Sequence, residues 1–460
     1  MILKNDCIDS FKEKLKKHFF YPFTEDQNNL LEESISFLQN EELNPLLIIT
    51  GFAGTGKSSF LGALVKSLKE INVKTCLLGP TGRSSKVLSA YSDANAFTIH
   101  RKIYFHSKQK NGSYKSSLAP NKHKNTLFII DECSMIPKNK LLEDILSYVF
   151  NGINCQLIFI GDPGQLPPIG ETISPALDKR YLQRNHPSLS ISHVHLNQIV
   201  RQKQSSGILY NANRVRNNNT FNKIKTNSFN DIQSLNGSEL QAELENSYQE
   251  VGEEETIIIT RSNKRANNYN SHIRKELFWR ESPIEKNDLI MAIKNNYFWT
   301  ENEENSFIAN GEFFEVIKFI KEEIIYNTVF LRAKINLNNT IKEILIFKKS
   351  IEIEKASLDF DFQNTLYKEI EKDFLYMGNK KDRSKAILTN SYYNALQVKF
   401  GYAITGHKSQ GGQWKHVYID LGYITPEHLD ENFKRWLYTA MSRAKEKLFL
   451  INFPDFLLSK

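Results

Sequence analysis

Cysteine is scarce, with four in 460 residues, and Cys7, Cys76, Cys133 and Cys155 lie too far apart to make any Cys-x-x-Cys pair. Histidine clusters are missing as well, so neither a disulfide framework nor a zinc site is encoded, and a reducing cytosol suits the chain. No apolar run approaches the roughly 18 residues of a membrane span, and charge breaks up every turn between Met1 and Phe20, which excludes a signal-peptide core. A cytoplasmic protein with no membrane partner is the expectation. Charge of one sign is in modest excess: 60 Lys plus Arg against 52 Asp plus Glu give a formal +8. That balance is compatible with polyanion binding and equally with an ordinary basic surface. With 40% hydrophobic residues the chain can build cores. Its length implies about two to four domains rather than one.

Short apolar runs ending in Gly, Asp or Pro recur through the first half, at Leu46 to Thr50, Lys74 to Leu78, Leu127 to Ile130 and Leu157 to Ile160. Such runs are too short for buried helices and read as strands of a parallel sheet covered on both faces. Ser58 to Lys69 and Leu141 to Phe150 have helical spacing between them, which gives an α/β doubly wound core with ligand chemistry at the strand ends. Residues 101–123 form a lysine-rich, aromatic-bearing insert with an Asn111-Gly112 turn, read as a hairpin. A second α/β segment opens at Thr256 to Thr260 and resumes at Leu396 to Ile404, Val417 to Leu421 and Leu448 to Asn452. Between its parts, Leu289 to Ile293, Phe313 to Phe319, Val329 to Ile335 and Ile341 to Phe347 read as antiparallel strands of a small inserted β-barrel, with Asn310-Gly311 as a turn signal. The join between the two large lobes is placed near Ser190.

Gly51-Phe52-Ala53-Gly54-Thr55-Gly56-Lys57-Ser58 matches the phosphate-binding loop and lies between an expected strand and an expected helix, the context that motif needs. Its glycines let backbone N–H groups curl around phosphate oxygens at a positive helix end, Lys57 reaches the β and γ phosphates, and Ser58 ligates Mg²⁺. Asp131-Glu132 closes an all-apolar strand: Asp131 would hold Mg²⁺ through water, and Glu132 would orient or deprotonate the attacking water. An acidic pair after a strand is otherwise an ordinary solvated turn. Gly161-Asp162-Pro163-Gly164-Gln165-Leu166-Pro167-Pro168 follows another strand, and the Gln165 amide can hydrogen-bond the γ-phosphate or the attacking water. A proline-fixed turn is the plain alternative.

These loops, together with Asp131-Glu132-Cys133-Ser134-Met135, Gly406-His407-Lys408-Ser409-Gln410-Gly411 and Tyr438-Thr439-Ala440-Met441-Ser442-Arg443-Ala444, resemble the ordered motifs of superfamily 1 helicases. The similarity is greatest to the Dda-like and RecD-like members that move 5′ to 3′, and it runs from about Phe23 to Phe449. It implies two RecA-like P-loop lobes with a β-hairpin insert in the first and an SH3-like β-barrel insert in the second. The first lobe would comprise residues 1–100 and 124–190, the pin 101–123, the second lobe 191–285 and 395–460, and the SH3-like insert 286–394.

The resemblance also implies roles. Gln27 in Phe23-Thr24-Glu25-Asp26-Gln27 would read the adenine edge. Gly54, Thr55, Gly56, Lys57, Ser58, Gln410 and Gly411 would hold ATP, with Ser58 and Asp131 on Mg²⁺. Arg201 and Arg443 would act as arginine fingers beside Lys57, Glu132 and Gln165, stabilising charge that develops during phosphoryl transfer. Pro80, Thr81, Arg83 and His100 in the first lobe, and Thr405, His407 and Ser409 in the second, would contact single-stranded DNA. Phe97 could equally be a core residue or a stacking one, and Arg261 to Asn263 could add a backbone contact. Lys102, Lys108, Lys110, Lys115, Lys122 and Lys124, with Tyr104, Phe105 and Tyr114, fit a duplex-splitting pin and equally a solvated loop.

The expectation is therefore an ATP- and Mg²⁺-dependent DNA helicase that acts as a monomer on single strands and single-strand/duplex junctions, with replication or repair proteins as partners. Little length is left for an added nuclease domain. An RNA-directed helicase would share every ATP motif, and a nucleotide-gated strand-binding module without productive unwinding is the alternative from another class.

Overall fold

The computed structural model describes residues 2–3, 5–108, 114–199, 206–216, 221–300, 307–337 and 340–459. Helices α1 (Ile8–Phe19) and α2 (Glu25–Gln39) lead into β1 (Pro45–Gly51). The chain then alternates through α3 (Lys57–Glu70), β2 (Lys74–Gly79), α4 (Gly82–Ser92), β3 (Ala96–Thr98) and α5 (Ile99–Ile103) to the antiparallel pair β4 (Tyr104–Lys108) and β5 (Tyr114–Leu118). It continues with β6 (Thr126–Ile130), α6 (Lys140–Phe150), β7 (Gln156–Gly161), α7 (Lys179–Asn185) and β8 (Ser190–Leu196). Six of these strands form one parallel sheet in the order β3-β2-β6-β7-β1-β8.

Successive strand side chains point to opposite faces, and here both faces are covered. Leu47, Ile49, Leu127, Ile129 and Ile158 pack with residues of α1, α2 and α3. Their neighbours Leu46, Ile48, Phe128, Ile130 and Phe159 pack with residues of α5 and α6 on the other side. Each fully buried side chain of this kind contributes about 1.5–3 kcal/mol, which is why the strands carry unbroken apolar runs. Because β6, β7 and β1 are neighbours, the loops leaving their carboxyl ends share one edge of the sheet.

The second half contributes α8 (Gly207–Arg216), β9 (Ile224–Lys225), β10 (Ile232–Leu235), α9 (Leu240–Val251), β11 (Thr256–Thr260) and α10 (Asn263–His272). An antiparallel segment follows, made of β12 (Leu289–Ala292), β13 (Phe313–Ile325), β14 (Thr328–Leu337), β15 (Thr340–Phe347), α11 (Lys348–Glu352), α12 (Phe360–Glu371), α13 (Lys380–Leu388) and β16 (Val398–Phe400). The chain closes with β17 (Ala403–Thr405), α14 (Gly406–Ser409), β18 (Trp414–Asp420), α15 (Glu431–Met441), β19 (Ala444–Ile451) and β20 (Leu458–Ser459), which pairs with β9. A second parallel sheet runs β10-β19-β18-β11-β17, and an antiparallel one runs β15-β14-β13-β12-β16. The ends of the antiparallel sheet meet at Leu396, whose N–H donates to Leu345 (2.7 Å) and whose carbonyl accepts from Phe347 (2.9 Å).

Three expectations are corrected. The lobe join does not fall at Ser190, because β8 pairs with β1 along its whole length, from Ser190 opposite Pro45 to Leu196 opposite Gly51. As an edge strand it tolerates Ser190, Ser192, His193 and His195, so it lacks the apolar run of its neighbours. Leu396 to Ile404 is not one strand: β16 pairs antiparallel with β12, and β17 pairs parallel with β11. The break lies at Gly401, where a Cβ would stand 2.9 Å from the Phe313 ring. Thirdly, the segment read as an all-strand insert also holds α11, α12 and α13; Asn310-Gly311 does form a turn, closed by Glu312 N–H donating to the Ala309 carbonyl (3.1 Å) just before β13, and the β13–β14 reversal turns at Tyr326-Asn327, both left-handed. The Asn111-Gly112 tip and Lys110 lie outside the described residues, as do the side chains of Lys108, Tyr114 and Lys115. Among the described residues no helix is long and apolar enough to cross a membrane.

Candidate nucleotide cleft and strand-facing surface

At the carboxyl end of β1 the chain turns through Gly54 (φ 84°) and Gly56 (φ 88°), left-handed positions that glycine adopts without strain, and Gly56 caps the start of α3. Lys57, the first residue of α3, folds back over its own loop, with Nζ 2.7 Å from the Gly51 carbonyl and 2.8 Å from that of Phe52. This loop forms one wall of a cleft of about 550 Å³ that Lys57, Ser58, Asp131, Glu132, Gln165 and Arg443 also line, with Phe19 and Tyr21 at its rim.

Asp131 and Glu132 leave the end of β6. The Asp131 carboxylate accepts from the Glu132 N–H (2.8 Å) and from the Tyr91 hydroxyl. Glu132 is held left-handed (φ 55°), which costs a residue with a Cβ roughly 1–2 kcal/mol. Burial pushes both carboxyls above the usual range, with Lys57 and Arg443 pulling each of them back. Arg443 Nη1 stands 3.7 Å from Glu132, and its guanidinium is fixed by the carbonyls of Thr439 (3.0 Å) and Gly412 (3.2 Å).

The loop after β7 is gripped by the second lobe. Leu166 N–H donates to Thr439 Oγ1 (2.9 Å), and Gln410 Nε2 donates to the Leu166 carbonyl (2.6 Å). Within this loop Gln165 Oε1 is buried without a hydrogen-bond partner. The Tyr438 hydroxyl accepts the Ala53 N–H of the phosphate loop (2.7 Å) and donates to Asp162. One phenol from the second lobe thus touches both loops of the first.

Lys57, Ser58, Glu132, Gln165 and Arg443 are brought together, with Gly54 and Gly56 beside them. Thr55 is turned inward to the Phe52 carbonyl (2.9 Å), so only its backbone serves the loop. Gln27 is not free to read a base in this conformation. Its amide oxygen accepts from Thr24 N–H in a capping box, and its amide nitrogen donates to the Thr55 carbonyl (3.0 Å), bracing the phosphate loop from behind. Gln410 likewise holds the Leu166 loop, and Gly411 packs against Ser84 and Thr81, so neither lines the cleft. Arg201 lies outside the described residues.

The expected strand contacts divide. Thr81 caps α4 in a reciprocal pair with Ser84, after Pro80. Arg83 is not a strand-facing cation here: its guanidinium stacks 4.0 Å from the Trp414 ring and donates to the Gln413 carbonyl (2.9 Å), and burial pushes its pKa down to about 10. Ser409 is also withdrawn, fully buried and donating to Gly406 (2.7 Å). His407 is exposed, whereas Thr405 and His100 are half-buried, and burial lowers the pKa of His100.

Four residues of these sites carried no role in the sequence reading: Tyr91, Asp162, Tyr438 and Lys408. Three stand inside motifs that were recognised. Tyr91 lies at an ordinary helix position and leaves no local signal. The Lys408 ammonium is buried without a hydrogen-bond partner, its pKa pushed down to about 8 by burial and then by Lys399.

The donor set fits a nucleoside triphosphate, with N–H groups at a helix start, a lysine, an arginine and an unsatisfied amide converging on one cleft. It also fits magnesium held mainly by phosphates and water, since Asp131 already has both hydrogen bonds and no cluster of three metal-ligating side chains occurs among the described residues.

Comparison with known proteins places these features. Residues 25–232 match the AAA domain model, and residues 400–451 match the UvrD-like helicase C-terminal domain. An uncharacterized protein of Acanthamoeba polyphaga mimivirus is 26% identical, with 89% of this chain and 96% of that one covered. The ATP-dependent RecD2 DNA helicase of Deinococcus radiodurans is 23% identical over 92% of this chain but only 49% of its own length. The solved Pif1 helicase from Bacteroides with ADP-AlF3 and ssDNA is 15% identical, with a TM-score of 0.48 and 96% and 95% of the two chains covered. The phosphate loop thus lies inside the AAA domain match and the facing Arg443 inside the UvrD-like helicase C-terminal match, so the chain is similar to superfamily 1 helicases of the Dda- and RecD-like group in both halves of its cleft.

Proposed function

We propose that the protein is an ATP-driven motor that moves 5′ to 3′ along single-stranded DNA and separates duplex DNA. The observation that carries this reading is the contact chain across the lobes. Ala53 N–H meets the Tyr438 hydroxyl, Tyr438 meets Asp162, and Arg443 stands 3.7 Å from Glu132, so a change at the phosphate loop is felt at once in α15. In this reading Lys57 and the loop N–H groups bind the phosphates. Glu132 takes the proton of the attacking water, and Gln165 uses its idle amide oxygen to orient that water. Arg443, joined by Arg201, counters charge on the transferred group. Ser58 and Asp131 would hold magnesium, which would supply charge neutralisation at the phosphates. Release of the phosphate loosens the Tyr438 and Arg443 contacts and lets the lobes part.

His407 and Thr405 would then hold the strand on the second lobe, and the start of α4 on the first. Residues 101–123 would act as the pin, which the β4–β5 ladder supports. Residues 286–394, closed by the Leu396 bonds to Leu345 and Phe347 just beyond them, would act as the SH3-like brace. DNA rather than RNA is favoured by the RecD2 relative, a DNA helicase by its name. The test is ATP-driven opening of duplexes with a 5′ or a 3′ single-stranded tail, in DNA and RNA versions. Opening of the 5′-tailed DNA alone is expected. Equal opening of RNA supports the RNA-directed alternative, and ATP turnover that neither strand stimulates leaves only a nucleotide-gated binding module.

A further inference from the structure

Helix α8 straddles the phosphate loop. Near its start Leu209 packs against Gly54, where a Cβ would lie 3.2 Å from the leucine methyl. At its end the Arg216 guanidinium stacks on the ring of Phe52, and its Cδ crowds Gly164 of the Asp162 loop. Between these points Ile208, Ala212 and Val215 are buried in one cluster with Leu437, Tyr438 and Met441 of α15, so the helix moves with the second lobe.

Arg216 has an unusual hydrogen-bond state. Its Nε and Nη1 are buried with no partner, although a desolvated guanidinium ordinarily finds acceptors for its fixed fork of donors. The nearby anion, Asp162, already accepts from Gly164 N–H (2.9 Å) and Tyr438. Leaving a charged donor unsatisfied is expensive, so such a group persists where another state of the protein supplies the acceptor. The loop against which it rests is the one that binds phosphate.

We propose that Arg216 senses the terminal phosphate: its two idle donors gain their acceptor when a triphosphate draws the phosphate loop and the second lobe together. A diphosphate leaves them idle. Arg216 therefore tells tri- from diphosphate and passes that difference along α8. The inference rests on the nucleotide reading of the cleft and adds to it a residue outside the family motifs quoted above.

The test compares the affinities of the full-length chain, Arg216→Gln, Arg216→Lys and Lys57→Ala for a non-hydrolysable ATP analogue and for ADP, each with magnesium. Arg216→Gln is expected to weaken the triphosphate by roughly ten- to a hundredfold, the range for a charged hydrogen bond, while ADP binding stays unchanged. Arg216→Lys, which keeps the charge but loses the fork, gives an intermediate ratio and covers the case in which the glutamine variant misfolds. Lys57→Ala weakens both nucleotides. An unaltered triphosphate-to-diphosphate ratio in both Arg216 variants, or equal weakening of the two nucleotides, overturns the proposal while leaving the cleft assignment intact. A wild-type chain that binds neither nucleotide overturns both.

Discussion

The nucleotide cleft and the start of α4 are built from similar parts, loops at strand ends carrying hydroxyls, backbone N–H groups and cations, but they use them in opposite ways. In the cleft, contacts across the lobes fix the frame and leave functional groups unsatisfied, as with Gln165 Oε1. At α4 the comparable groups are engaged within the protein. Thr81 and Ser84 cap each other, Arg83 is sandwiched against Trp414, and Glu312 lies against Gly82 with its carboxyl raised by burial. The lesson is that one lobe–lobe interface can prepare a binding site at one end and compete with binding at the other. A strand arriving at α4 must displace protein contacts that a nucleotide in the cleft would not meet.

The largest expected effect breaks the cleft alone. Lys57→Ala should lower ATP turnover by about three orders of magnitude, the low end of what a charged group at the transferred phosphoryl supplies, while single-strand binding is retained. Turnover measured with and without oligonucleotide checks it, and unchanged turnover removes the assignment. Arg83→Ala comes next and tests the other side of the comparison. Loss of a desolvated cation–π contact should cost about 2 kcal/mol of stability in denaturant unfolding. The salt dependence of strand binding should stay the same. If the log–log slope becomes shallower by about one, Arg83 does neutralise a strand phosphate and the contrast fails at that residue.

The same contrast explains what was legible in the sequence. The apolar runs inside strands β1, β6 and β7 and the loops at their ends were readable, because two-sided burial leaves about four consecutive residues without a polar one and the chemistry then follows the strand. β8 was not readable as a member of the sheet, since an edge strand tolerates polar residues such as Ser192 and the exposed His193. Nor was the split at Gly401, where only packing against Phe313 shows why the strand must end. Side-chain direction was the weakest point. Motif spacing picked out Arg83 at the start of α4 and Ser409 at the end of α14, but whether such a residue faces a ligand or the opposite lobe depends on what the fold brings against it. Tyr91 shows the limit, since its bond to Asp131 joins residues 40 apart in sequence.

Lys408 sharpens the comparison through pH. Its pKa is pushed down from the ordinary lysine value of 10.5 to about 8, first by burial and then by Lys399. Below the folded value both folded and unfolded chains hold the proton, and the cost of burying it is fully present. Between the two values the unfolded chain keeps a proton that the folded chain has released, so stability rises with pH across that window. After allowing for partial hydration the gain between pH 7 and pH 9 should be about 1 kcal/mol, seen as a higher denaturant midpoint at about pH 9 than at pH 7. Lys408→Met should remove the rise. A midpoint that falls over this range in the wild type, with the same fall in Lys408→Met, would show that the ammonium has an acceptor.

The smallest effects come from two neighbours on α14, and they separate inward from outward most directly. Ser409 is fully buried and donates to Gly406, so Ser409→Ala should cost about 1 kcal/mol of stability and leave strand affinity unchanged. His407 is exposed on the same turn, so His407→Ala should leave stability unchanged and weaken strand binding a few-fold. Paired unfolding curves and fluorescence anisotropy with a labelled oligonucleotide measure both quantities on the same preparations. The reverse pattern, with Ser409 controlling affinity and His407 stability, would mean that α14 rotates when the strand binds. In that case the inward-turned groups at α4 would also have to be judged in the strand-bound state, because Gly411, two residues beyond Ser409, packs directly against Thr81 and Ser84.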